Sequence, residues 1–256
     1  MRAWLIELDR VLRGDATRPA ALRSGAPEVS SGRLAAIGIL LGAFYGFCMG
    51  FFGLFNRPEP EYRLLLNGML KVPALFVLTL AVTFPSLYVF NALVGSRLTI
   101  DGLARLMTAA LAVTVAVLAS FGPIVAFFAV TTTSYPFMLL LNVAVFGLSG
   151  LLGMGFLLQT LHRLTDVVES VAEAPPAESA PPSDAVPAVR PAVRTAGTRV
   201  RTVFACWVIV FGVVGAQMSW VLRPFVGTPE GEFTWFRARE ASFFEAVVNA
   251  LRRLVS

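Results

Sequence analysis

The chain has 256 residues, of which 56% are hydrophobic and 14% charged, with a net charge of +5. A soluble domain carries about 25% charged residues, so the composition excludes an ordinary soluble protein. It points to an all-α, polytopic membrane helix bundle of about five transmembrane helices with flanking amphipathic helices. Of the 21 basic residues only Lys71 is a lysine; the arginines flank apolar runs, where they set topology, which argues against a nucleic-acid surface.

Residues 1–33 form a cytoplasmic, amphipathic N-terminal segment. Within residues 1–13, Trp4, Leu5, Leu8, Val11 and Leu12 fall on one helical face and Glu7, Asp9, Arg10 and Arg13 elsewhere. Such a helix lies on the membrane surface or against a partner, or packs on the bundle's own cytoplasmic face. Gly14–Arg33 reads as a loop. Six arginines precede the first apolar run, so that run is expected to act as an uncleaved signal-anchor.

Residues 34–172 make a four-helix membrane domain. The first span, Leu34–Leu54, has no charge and carries Gly38, Gly42, Gly46 and Gly50 in strict fourfold spacing, with Gly53 near the same stripe. It reaches about 30 Å, the depth of a bilayer's hydrocarbon. Residues four apart share a helix face, so these glycines form a groove that lets another helix approach backbone to backbone. Asn56–Glu61 is a Pro-containing polar turn and Tyr62–Leu70 an apolar stretch suited to the interface. The second span is Val72–Val94, with Pro73 in its first turn and Pro85 mid-span, where a kink is expected. Thr83 and Ser86 are placed to satisfy the carbonyl of Ala81 that Pro85 frees.

The third run, Leu103–Val130, would be about 42 Å long as one helix and is interrupted by Gly122 and Pro123, so a break is expected there. Ser134 is placed to cap the fourth span, Phe137–Leu158. In that span Gly147, Gly150 and Gly153 form a second small-residue face, a packing partner in principle for the first. The fourth helix continues past the membrane with Leu161, Leu164, Val168 and Val171 in a short heptad-like seam.

Residues 173–202 read as a Pro/Ala-rich linker, and residues 203–256 as a fifth helix with an outer amphipathic tail. The fifth span, Val203–Leu222, places Gly212 and Ala216 four apart. In the tail Phe233, Trp235 and Phe236 mix with arginines, as suits the headgroup region, and Ser242–Val255 is amphipathic. Arginine bias sets the orientation. With the N-terminus inside, inner segments hold thirteen basic residues and outer ones eight, which predicts a cytoplasmic N-terminus and a periplasmic C-terminus. The Ala-, Gly- and Arg-rich composition fits a GC-rich bacterial genome, and hence the bacterial cytoplasmic (inner) membrane.

The chemistry-bearing residues are sparse. The single histidine, His162, sits at a membrane edge, and a metal or haem site needs more ligands. Cys48 and Cys206 differ in depth by about 17 Å, too far for a disulfide. No nucleophile elbow, phosphate-cradling loop or zinc-protease motif is present, and Asp101 and Asp166 lie at span ends. That pattern disfavours a proton-coupled carrier, and no catalytic residue, metal or cofactor is assigned. Asn142 and Gln217 are expected to hydrogen-bond between helices.

Gly212–Pro229, with Gln217, Trp220, Arg223, Pro224 and Phe225, resembles the last span and tail of a group of uncharacterised bacterial multi-pass membrane proteins. So does Lys71–Gly95, with Pro73, Pro85 and Gly95. Their layout is similar to the Yip1 family, a polar N-terminus followed by about five clustered spans. This chain lacks the family's eukaryotic acidic-aromatic N-terminal motif, so a Rab-type role is not implied. The expectation from the whole chain is a non-enzymatic membrane subunit that scaffolds or stabilises a larger inner-membrane complex. Its partners would be membrane lipids and other membrane-protein subunits or itself, and not nucleic acid. The alternative is an oligomeric channel or small-solute permease.

Overall fold

In a computed structural model of the chain, residues 2–13, 31–57, 61–93, 100–172, 190–226, 235–236 and 242–255 are described. They form eight helices, and no strand occurs among them. The helices are α1 (Arg2–Leu12), α2 (Ser31–Phe55), α3 (Arg63–Leu93), α4 (Ile100–Ser120), α5 (Gly122–Thr131), α6 (Tyr135–Ala172), α7 (Arg190–Val221) and α8 (Phe243–Val255). The chain is thus an all-α helical bundle. Four stretches are long and apolar enough to cross a membrane: Ser31–Phe55, Arg63–Phe90, Ile100–Thr131 and Tyr135–Thr160. That is the pattern of a multi-pass membrane protein. The fifth apolar stretch, Ala205–Val221, is shorter.

Helix α2 is the centre of the arrangement, packed against α1, α3, α4 and α5. Tyr45, Met49 and Phe52 of α2 are buried with Leu118, Val125, Met138 and Val145 of α4, α5 and α6. A second cluster joins Leu87 of α3, Leu103 and Met107 of α4, Leu157 of α6 and Trp207 of α7. In the third, Leu8 and Val11 of α1 are buried against Leu34 and Ile37 of α2 and Ala112 and Val113 of α4. Of the placements open to α1, packing on the chain's own bundle is observed. Its heptad-like counterpart, Leu161–Val171, is helical, but its side chains lie outside the described residues, as does that of His162.

Two helix starts differ from the sequence expectation, and the break expected at Gly122 and Pro123 is present. The second helix begins at Arg63, not Val72, and absorbs Tyr62–Leu70, because Lys71 does not end it: the ammonium is buried and satisfied within the bundle. The third run is two helices that meet at Phe121. The Phe121 N–H is drawn to the Leu118 carbonyl at 3.1 Å, and Pro123 sits in the first turn of α5, where its missing N–H costs nothing. Helix α7 begins at Arg190, so residues 190–202 are helix rather than linker; Pro191 falls in its first turn, and the Ala- and Arg-rich sequence after it favours helix. Residues 173–189 lie outside the described residues. Finally, α3 runs through Pro85 as one helix, and the hydroxyls of Thr83 and Ser86 donate to the carbonyls of Thr79 and Thr83 (2.7 Å each), not to Ala81. Ser134 caps α6 as expected, its Oγ accepting from the Phe137 N–H at 3.4 Å.

Candidate functional site

The glycine face of α2 meets α3 in antiparallel order: Gly42 at Pro73, Gly46 at Gly68, Gly50 at Leu65 and Gly53 at Leu64. A Cβ on Gly46 would overlap the Gly68 carbonyl, and one on Gly68 would overlap the Gly46 carbonyl. At Gly50 an added Cβ would lie 2.9 Å from the Leu65 Cα, and at Gly42 it would be 3.4 Å from the Pro73 Cγ. At Gly38 it would meet nothing within 4 Å. The two helices therefore touch most closely at Gly46–Gly68 and diverge toward the N-terminus of α2. The groove is occupied by the chain itself. Gly68, the residue that fills its deepest point, was legible only by extending the second helix past Lys71.

The glycines of α6 do not pair with this groove. The buried face of α6 is Asn142, Val145, Ser149, Gly153, Leu157 and Thr160. Gly153 abuts Thr114 of α4, whose Oγ1 occupies the place of its Cβ. Gly147 and Gly150 fall outside that face; they are exposed and a Cβ on either meets nothing within 4 Å. Gly212 of α7 is likewise open, and at Gly215 an added Cβ would make ordinary contact with the Thr79 Cγ2 at 3.5 Å. Ala216 is half-buried. Gly122 is buried beside Phe44 and Cys48 of α2, while Pro85 and Pro123 are exposed.

Polar side chains supply two further locks. The Tyr45 hydroxyl donates to Asn142 Oδ1 at 2.7 Å, joining α2 to α6. The Asn142 amide donates to the Met138 carbonyl at 2.8 Å. Both side chains are buried, so each needs its bond. Asn142 thus makes an interhelical bond of the expected kind, whereas Gln217 is exposed.

The second lock holds the tail. Asn67 and Lys71 stand one turn apart on α3 and are both buried. The Asn67 amide donates to the Pro224 carbonyl at 2.7 Å. The Lys71 ammonium donates to the same carbonyl at 3.4 Å and to the Trp235 carbonyl, and lies 4.8 Å from the centre of the Phe236 ring. Arg223, joined to Pro224 by a cis peptide bond, stacks its guanidinium 3.8 Å over the Trp220 ring. Phe225 packs at the edge of the core that Tyr45 and Phe52 share. Of the sequence-singled motif, Trp220, Arg223, Pro224 and Phe225 come together at this end of the bundle, and Gln217 does not. The order of contacts along α3 and α7 (Thr83 accepting from the Trp207 indole at 3.1 Å, Thr79 at Gly215, Lys71 at Pro224) makes the pair antiparallel.

Chemically this end can hold and orient chain. A lone buried ammonium held by two carbonyls and a ring has the makings of a clamp. Among the described residues no three His, Cys, Asp or Glu side chains come together as a metal site would require. Comparison of the chain with protein-family models, curated proteins and solved structures finds no match.

Proposed function

We propose that the chain is a non-catalytic integral membrane subunit that scaffolds or stabilises a larger protein assembly in the bacterial inner membrane, with its N-terminus cytoplasmic. The observation that carries this reading is the outward surface left once α3 has filled the α2 groove. On α6, Ala144, Gly147, Gly150 and Gly155 are exposed, and none of the three glycines has an atom within 4 Å of its Cβ position. On the neighbouring α7, Gln217 is exposed on a helix face shared with exposed Ile209, Val210 and Val213. An amide in apolar surroundings gains from a hydrogen-bonding partner, and small residues let that partner come close. The arginine bias between loops supports the orientation.

The test is gentle extraction from native membranes followed by mass spectrometry of what co-migrates. A fixed-ratio set of other membrane proteins supports the subunit role. Migration alone or as a homo-oligomer, with solute or ion flux after reconstitution in liposomes, overturns it in favour of a channel or permease.

A further inference from the structure

Helix α8 divides into three sectors around its axis, and only two of them have an evident neighbour. At about 100° per residue, Phe243, Ala246, Val247 and Ala250 share one side. These four are buried or half-buried, on a helix that packs against α6 and α7. Glu245, Asn249, Arg252 and Arg253 occupy a second sector, about 120° round the helix, and are exposed. Between the two runs an apolar stripe, Phe244, Val248 and Leu251, at spacings of four and three. Each of these three side chains is about half exposed, at 52%, 47% and 53%.

A helix packed on a soluble protein needs two sectors, one for the core and one for water. The third, apolar sector of α8 has neither. It lies about 120° round the helix axis from the bundle contact, so its occupant meets α8 from outside the bundle. That is where the hydrocarbon of a lipid monolayer lies around a membrane-spanning bundle. Exposed apolar side chains on other spans, among them Val77 and Val82 of α3 and Ile124 and Phe127 of α5, call for the same medium. Arg252, next to the stripe on the polar side, is placed to reach lipid phosphates while its stem runs along apolar surface.

We propose that α8 is an interfacial helix lying in the plane of the membrane, with Phe244, Val248 and Leu251 sunk into the acyl boundary and Arg252 meeting phospholipid phosphate. Its occupant is lipid and not a second protein chain. The helix then fixes the depth of the bundle at this face and ties the tail end of the chain to one leaflet, as interfacial helices do at about 5–10 Å into the headgroup boundary.

The experiment uses the full chain with Cys48→Ala and Cys206→Ser, reconstituted in phosphatidylcholine vesicles. Nitroxide labels are attached through Val248→Cys, Leu251→Cys, Asn249→Cys or Arg253→Cys, and collisions with oxygen and with a water-soluble nickel chelate are compared. Labels at 248 and 251 should favour oxygen, and those at 249 and 253 the chelate. Equal chelate access at 248 and 251 overturns the proposal, because the stripe then faces water. Shielding of 248 and 251 from both reagents also overturns it, because the stripe is then covered by protein. Leu251→Trp is compared with the native chain, whose four tryptophans give the background, so that the difference reports the introduced indole. Its fluorescence should be quenched more by lipids brominated near the carbonyl than by lipids brominated at the chain end, and no quenching by either contradicts the proposal.

Discussion

Gly46 of α2 and Gly68 of α3 occlude each other: the carbonyl of each stands where the other would carry a Cβ. At no other glycine of α2 does the backbone of α3 come so close, so this pair sets how near the central helix and its main neighbour can come. It also separates glycines that shape the bundle from glycines that do not.

Replacing Gly46 or Gly68 with Ala should destabilise the protein by at least about 1–3 kcal/mol, the usual cost of overpacking, because backbone and not a movable side chain is in the way. Gly38→Ala and Gly212→Ala meet open space; they should leave stability unchanged or raise it by up to about 1 kcal/mol through helix propensity. Thermal unfolding of the four variants in one detergent checks this. Equal melting temperatures across the set would remove the Gly46–Gly68 contact from the account.

The contact between Gly153 and Thr114 offers a rescue. Gly153→Ala alone should lower the melting temperature, since the Thr114 Oγ1 fills the space and its Cβ lies 2.9 Å away. Adding Thr114→Ala removes the hydroxyl and methyl, leaving the Cβ at 2.9 Å and the Cα at 3.3 Å, and should restore part of the loss. Additive losses in the double variant would show that these residues do not meet.

Tyr45 and Asn142 should be energetically coupled. Tyr45→Phe leaves Asn142 Oδ1 buried without its donor, and Asn142→Leu leaves the hydroxyl without its acceptor. Interhelical bonds in membrane proteins average about 0.6 kcal/mol with a maximum near about 1.7, so a double-mutant cycle should return a value in that range. A coupling of zero would place the two side chains apart.

Lys71→Met should loosen the tail. The change removes the donor shared by the Pro224 and Trp235 carbonyls and the cation facing Phe236. Hydrogen bonds to charged groups contribute about 1.5–3 kcal/mol, which corresponds to roughly 10- to 100-fold faster proteolysis within the tail after Val226. Unchanged cleavage would mean that the tail is held without Lys71.

The helical, multi-pass character of the chain was legible from composition and run length, because no other element satisfies its backbone in hydrocarbon. The break before Pro123 and the cap at Ser134 followed from local chemistry alone. What sequence reading missed was burial of the charge at Lys71. A lysine beside an apolar run signals a helix end when solvent or headgroups receive it, but here two carbonyls from a tail more than 150 residues away do so. That one misplacement hid Asn67 and Gly68 and left the fourth span's glycines as the α2 groove's partner in principle. The glycines of α6 were misassigned for a different reason. Spacing shows that residues share a face, but which face turns inward depends on the neighbours, here Tyr45 and Thr114, that no spacing reveals.

The most direct test of the proposed subunit role separates the outward surface from the fold. Gln217→Leu and the pair Gly147→Leu with Gly150→Leu should leave the stability of the isolated chain within about 0.5 kcal/mol of native, as surface changes do, while lowering the yield of co-extracted partner proteins. If all three changes leave co-extraction of partners undiminished, or if native extraction returns only this chain, the outward face of α6 and α7 is bathed by lipid and the account of the protein as a scaffolding subunit is contradicted.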